Sequence, residues 1–114
     1  MAYDEGLAAR VRKSLARRPG LEEKKMFGGL CFLVNGNMCC GIVGDTLMVR
    51  VGPERYAAAL GRAHVREMDF TGRPLKGMVY VAPEGLRTPA ALRAWTREGA
   101  AFAARLPRKA GRKK

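Results

Sequence analysis

The chain has few of the side chains on which catalytic and metal sites are usually built. It has one histidine and three cysteines, and Ser14 is its one serine. A zinc site usually takes four cysteine or histidine ligands, often as C-x-x-C pairs, and the sequence has no such pair. His64 lies between two arginines in a polar segment, far in sequence from Ser14. We therefore expect no enzyme activity, no metal site and no cofactor.

Long hydrophobic runs are also missing. No apolar run approaches the length that spans a bilayer, and the N-terminus lacks the apolar core and cleavage site of a signal peptide. We expect a cytoplasmic protein without a membrane partner. A chain of 114 residues is long enough for one domain with its own core.

Acidic residues are scarce, with 10 against 22 basic residues and a net charge of +12. The basic residues concentrate in the first predicted helix and in the last ten residues, RLPRKAGRKK. We expect a folded domain over 1–106 and a flexible basic tail over 107–114. Such clusters bind phosphate backbones without sequence specificity, or they only keep the chain soluble, and solubility is the more common role. The nucleic-acid contacts predicted on this basis are Arg10, Arg17, Arg108, Lys109, Arg112, Lys113 and Lys114.

A predicted loop places two further cations beside glycines. Arg73 and Lys76 stand next to Gly72 and Gly77, whose backbone amides can also face an anion. This loop is a candidate anion site, although basic loop residues are usually only solvated.

Caps and apolar spacing predict three helices. The first runs from about Asp4, a plausible N-cap, to Arg18, before Pro19-Gly20. The second opens at Pro53 and ends before Gly61, and the third starts at Thr88-Pro89. The apolar stripe of the third helix consists of Leu92, Trp95, Gly99, Phe102 and Leu106.

Turn residues between apolar runs predict antiparallel strands. Asn35-Gly36 and Gly44-Asp45 are hairpin turns, and Gly28-Gly29 indicates a bulge or bend. The strands are expected at 30–34, 38–43, 46–51, 67–70 and 78–81. The elements predict a two-layer α+β fold in which helices cover an antiparallel sheet, in the order α-β3-α-β2-α.

Two of these strands, 30–34 and 38–43, are apolar at nearly every position. Such runs indicate that both faces of the sheet are covered. Either the helices supply both covers, or one face packs against a second copy of the chain. We expect a homodimer.

The three cysteines all fall in predicted strands. Because neighbouring strand residues point to opposite faces, Cys39 and Cys40 are not expected to line one site without a distortion. A redox pair between Cys31 and one of them requires matching registers across a hairpin. Free cysteine is usually buried, so we interpret all three as core residues.

Several ordered motifs of this chain resemble those of one family. They are MAYDE at 1–5, KKMFGG at 24–29, NGNM at 35–38, LMVRVG at 47–52 and MDFTGRP at 68–74. Over roughly residues 1–106 they look like the TfoX/Sxy N-terminal domain family. The resemblance implies a compact α+β domain of the same element order. The chain ends at Lys114, without room for the C-terminal domain of longer members, so we expect a stand-alone, single-domain member.

The resemblance also implies a function. Longer bacterial members of the family regulate competence genes as coactivators that work with a catabolite-type transcription factor. The family carries over no catalytic residue. We therefore expect a regulatory or protein-interaction module with an unidentified protein partner, linked to transcription regulation. The alternative is a nucleic-acid-associated protein that binds phosphate backbones through its tail and first helix.

Overall fold

The computed structural model describes residues 3–16, 18–26, 28–68 and 77–107. Their elements follow one another along the chain as a helix, four strands, a short helix, two strands, a 3-10 helix and a long helix. They are α1 (Glu5–Leu15), β1 (Leu21–Met26), β2 (Gly29–Val34), β3 (Asn37–Val43), β4 (Thr46–Arg50), α2 (Tyr56–Leu60), β5 (Val65–Glu67), β6 (Met78–Val81), the 3-10 helix (Pro83–Leu86) and α3 (Pro89–Arg105).

The strands form one antiparallel sheet in the order β1-β2-β3-β4-β6-β5. Buried residues of α1, α2 and α3 belong to a single core cluster with one face of the sheet. This arrangement confirms the two-layer α+β fold. It contains one strand more than predicted.

The extra strand is β1, with the sequence LEEKKM. It pairs with β2 from Leu21 opposite Val34 to Met26 opposite Gly29, and residues 22–25 are exposed. The side chains of an edge strand can be solvated on both faces, so the strand needs no alternation of apolar and polar residues. The hydrophobic pattern of the sequence therefore does not predict β1. Gly28, at φ +74°, therefore lies in the turn of a hairpin, so the interruption predicted at Gly28-Gly29 as a bulge or bend is a reversal of the chain between two strands.

The helix starts are largely set by side-chain caps. Leu7 N donates to Asp4 Oδ1 at 3.0 Å, and Ala91 N donates to Thr88 Oγ1 at 3.1 Å, which confirms both predicted caps. In contrast, α2 begins at Tyr56, so its predicted start at Pro53 is wrong. None of the described helices is long and apolar enough to cross a membrane.

The predicted hairpin turns join the expected strands. Asn35 and Gly36 have φ of +53° and +81°, the positive values that a tight turn between β2 and β3 requires. The fifth strand, β5, occupies 65–67 rather than 67–70, and residues 69–70 lie outside the described residues.

The main core lies between the sheet and the helices. Phe32, Ile42 and Val79 from the sheet are fully buried there, together with Val11 of α1 and Leu92 of α3, which is 3% exposed. Each such side chain contributes about 1.5–3 kcal/mol through burial. This core fixes α1 and α3 side by side on the sheet.

The opposite face of the sheet carries a second apolar cluster. Its buried members are Cys31, Leu33, Met48, Met68 and Tyr80. All six positions of β2 are buried, which confirms that both faces are covered. The buried hydrophobic residues of the described helices all belong to the first cluster, so these helices cover one face and the alternative in which helices supply both covers is not found among the described residues. Cys31 and Met48 are fully buried within one chain, so the apolar strands do not require a second copy, and the homodimer stays a prediction.

Candidate functional site

Among the residues predicted to bind nucleic acid or anions, Arg10 is the one that the structure describes. Its Nη2 donates to Leu86 O at 2.5 Å and so joins α1 to the 3-10 helix. The other predicted residues, which are Arg17, Arg73, Lys76, Arg108, Lys109, Arg112, Lys113 and Lys114, lie outside the described residues.

Arg10 lines a groove of about 370 Å³ between α1 and α3. Lys13 and Arg93 line it as well, and Ser14 Oγ lies 2.6 Å from Thr96 Oγ1 beside it. No carboxylate is among its described lining residues, so the groove is positively charged. We call it the α1–α3 groove; its lining is Arg10, Lys13, Ser14, Pro89, Leu92 and Arg93.

A second concave surface lies between the exposed side of α3 and the segment that links β4 to α2. It encloses about 330 Å³, and three of its lining side chains are arginines. We call it the arginine cleft. It is lined by Val51, Arg55, Ala94, Arg97, Glu98, Ala101, Phe102 and Arg105.

The aromatic ring of the cleft belongs to Phe102, and it packs against the backbone of Gly52. A β-carbon on Gly52 would lie 2.4 Å from Phe102 Cε1, so only glycine fits beneath the ring. Gly52 has φ +89°, and the amides of Val51 and Gly52 both donate to Gly77 O, at 2.8 and 3.0 Å. Because Gly52 has no side chain, the backbone of this turn can contact the ring directly.

Two arginines stack near the same ring. The guanidinium carbon of Arg50 lies 5.4 Å from the Phe102 centroid, and that of Arg105 lies 6.0 Å from it. Both distances are within the range of a cation–π interaction. The ring is half-buried, so part of it and its two cations face solvent together.

Glu98 also lines the cleft, and its carboxylate lies near two arginines. Its side chain is 15% exposed and accepts from Arg62 Nη1 at 2.9 Å, while Arg55 Nη1 lies 3.7 Å away. The guanidinium of Arg62 also lies 3.7 Å from the centroid of the buried Trp95 ring. Glu98 therefore holds Arg62 by a charge-assisted hydrogen bond, and Arg55 stays a largely exposed neighbour of the same carboxylate.

The cysteines are free and buried, which confirms their interpretation as core residues. Cys39 and Cys40 do not point to opposite faces, because β3 has the distortion that the prediction required for both to line one site. The register shifts between Phe32 and Leu33, and Cys39 is the bulged residue opposite that step. Both thiols therefore enter the helix-side core, with their sulfur atoms 3.8 Å apart, while Cys31 belongs to the other face.

Two of the thiols, those of Cys31 and Cys40, have a raised pKa. Burial raises the pKa of Cys31 to about 11. The hydrogen bond with Cys39, together with burial, raises the pKa of Cys40 well above its ordinary value. Because the thiolate is the reactive form, the environments of Cys31 and Cys40 disfavour nucleophilic chemistry at neutral pH.

The remaining polar groups do not assemble into a reactive set in the part of the chain that the structure describes. His64 is exposed, with φ +66°, and the hydroxyl of Ser14 is paired with that of Thr96. Within the described ranges, no three histidine, cysteine or acidic side chains lie close enough to hold a metal ion.

Sequence reasoning missed the arginine cleft. Its residues come from two segments, 51–55 and 94–105, and only the fold brings them together. One signal was present in α3, where Arg97, Ala101 and Arg105 recur every four residues beside the apolar stripe. Phe102 belongs to the apolar stripe of α3, which is typical of core residues. In the structure its side chain is only half-buried and lines the cleft.

Comparison with known proteins gives one result. A comparison with curated proteins found no match, and neither did a comparison with solved structures. A family model described as the TfoX N-terminal domain matches residues 13–103, which is most of the chain and includes β1 to β6, α2 and nearly all of α3. The chain therefore belongs to the TfoX N-terminal domain family.

Proposed function

We propose that this chain is a non-enzymatic regulatory module that acts by binding a partner protein in the control of transcription. Membership of the TfoX N-terminal domain family supports a regulatory or interaction role. The observation that carries the proposal is the arginine cleft, in which cations surround a half-buried aromatic ring.

Arginine and aromatic residues are enriched where protein interfaces are strongest. Phe102 offers an apolar surface that a partner can desolvate, and Arg55 and Arg97 offer fixed-charge donors around it. Three arginines and one glutamate line the cleft, so its net charge is positive. These properties favour binding over catalysis.

The test is affinity capture with three forms of the full chain. One is the wild type, one carries Arg97→Glu and Arg105→Glu, and the control carries Lys24→Glu and Arg87→Glu. The four substituted residues are all exposed, and the two double variants change the net charge by the same amount. Lys24 lies on β1 and Arg87 precedes α3, so neither lines the cleft.

We expect the wild type and the control to retain a protein that the cleft variant loses. That protein is then purified, and its Kd for each form is measured by isothermal titration calorimetry. Binding only to the wild type and the control supports the proposal. If no purified candidate binds the wild type, the proposal is wrong.

A second candidate function is association with nucleic acid, which the α1–α3 groove favours. Arg10, Lys13 and Arg93 line it without a carboxylate among the described lining residues. Phosphate contacts of this kind release counterions, so the affinity falls steeply between about 50 and about 200 mM salt. Fluorescence anisotropy with a labelled DNA duplex at both salt concentrations tests it, with Lys13→Glu/Arg93→Glu as the variant. If no salt-dependent binding occurs, this second function is excluded.

A further inference from the structure

The arginine cleft has more positive than negative charge. Glu98 is shared between Arg55 and Arg62, and it neutralises only one of them. Arg97 has no carboxylate partner among the described residues, and Arg105 lies 3.9 Å from Glu54 at a site where both side chains are largely exposed. An exposed pair at that distance contributes little. The cleft therefore retains cations that can bind carboxylates of a partner.

The floor of the cleft is apolar. Val51 is buried, and Ala94 and Ala101 present only methyl groups from α3. The ring of Phe102 completes this floor, and the cleft of about 330 Å³ is large enough for an apolar side chain. A partner that covers the floor gains from burial of this surface.

The spacing of the cations defines the spacing of the groups that can meet them. Arg97 and Arg105 stand eight positions apart on α3, which is about 12 Å along the helix axis. Two carboxylates about 12 Å apart, with an apolar side chain between them, can contact both arginines and the floor at once.

A phosphate backbone fits this cleft less well. Its closely spaced negative charges would lie near the carboxylates of Glu98 and Glu54 and be repelled by them. It would also leave the floor at Phe102 without an apolar partner. Charge complementarity and the apolar floor together favour a protein segment over nucleic acid.

We propose, as an extension of the proposed function, that the arginine cleft binds an acidic amphipathic segment of the partner protein. The segment presents carboxylates to Arg97 and Arg105 and inserts an apolar side chain over Phe102. Arg55, which also lines the cleft, contacts a third acceptor.

The probe is a fluorescein-labelled peptide of about 15 residues, which as a helix spans about 22 Å and so covers the distance between the two arginines. It carries glutamates eight positions apart, with leucine and phenylalanine between them on the same side. Two matched peptides replace the glutamates with glutamine, or the leucine and phenylalanine with serine. Anisotropy is measured with the wild type and with the cleft and control variants described above. A third variant, Arg97→Gln/Arg105→Gln, removes the charges without reversing them, and circular dichroism verifies that each form is folded.

We expect the cleft variants to bind the peptide about tenfold more weakly than the wild type. The control variant should bind like the wild type, and both matched peptides should bind more weakly. Equal binding of the glutamine peptide overturns the proposal, as does equal binding by the cleft variants. If light scattering shows a dimer that only the cleft variants lose, the occupant is a second copy and the proposal is wrong. If a DNA duplex displaces the peptide more strongly than the unlabelled peptide does, nucleic acid is the occupant and the proposal is also wrong.

These results are separable from a failure of the proposed function. A purified partner that needs the cleft but contacts it through a segment without acids contradicts only this inference. The absence of any partner contradicts the proposed function itself.

Discussion

The ring of Phe102 lies directly on the backbone of Gly52, with no space between them for a β-carbon. Gly52 is in the left-handed region at φ +89°, and its amide donates to Gly77 O at 3.0 Å. This contact joins the end of β4 to the last turns of α3. Phe102 also lines the arginine cleft.

The first prediction concerns this contact. Gly52→Ala places a β-carbon 2.4 Å from Phe102 Cε1 in a backbone conformation that alanine disfavours. We expect the free energy of unfolding to fall by about 2 kcal/mol or more, measured by urea denaturation. Gly44→Ala is the matched control, because Gly44 has φ +60° but open space around its α-carbon. Equal losses in the two variants would show that the Phe102 contact contributes nothing.

The second prediction concerns the packing of α3 on the sheet. A β-carbon on Gly99 would lie 2.5 Å from the carbonyl oxygen of Cys39, at the bulge in β3. Gly99→Ala should therefore lower the free energy of unfolding by about 1–3 kcal/mol, measured by thermal or urea denaturation. Without this clash the substitution should stabilise the chain, because alanine is favoured over glycine in a helix interior by about 1 kcal/mol. A stabilised variant would contradict the close packing of α3 on β3.

The third prediction concerns the cysteines at high pH. Burial raises the pKa of the Cys31 thiol from 9.0 to about 11. Between these values the unfolded chain loses a proton that the folded chain keeps, so the free energy of unfolding decreases as pH rises from about 9 to about 11. Urea denaturation at several pH values measures the slope, and Cys31→Ala should make it shallower. An unchanged slope in that variant contradicts the buried, neutral thiol.

The fourth prediction concerns thiol reactivity. All three cysteines are buried, so we expect iodoacetamide to label none of them at neutral pH in the native chain and all of them in urea. Mass spectrometry counts the modified thiols. Rapid labelling of Cys39 or Cys40 in the native chain would show that the helix-side core opens more easily than its packing indicates.

Local signals in the sequence predicted much of the fold. Asp4 and Thr88 cap helices because their side-chain oxygens accept from nearby amides, and that pattern spans only a few residues. Asn35-Gly36 likewise determines its own turn. Each of these features depends on neighbours in the chain, so it can be recognised without the fold.

Other features depend on residues that only the fold brings together. The strand β1 has exposed charged residues and is defined by its pairing with β2. The bulge at Cys39 depends on the register of β2 against β3. The arginine cleft joins Arg55 to Arg97 and Arg105, more than forty positions away in the sequence. No pattern within one segment predicts these contacts.

The most direct test of the account is to locate where the acidic peptide binds. In two-dimensional nitrogen–proton NMR spectra of the full chain, we predict that the peptide shifts the amide signals of residues 51–55 and 94–105. The signals of β1 and of the α1–α3 groove should stay in place. Shifts concentrated at Arg10, Lys13 and Arg93, or no shifts at saturating peptide, would contradict the claim that the arginine cleft is the binding surface.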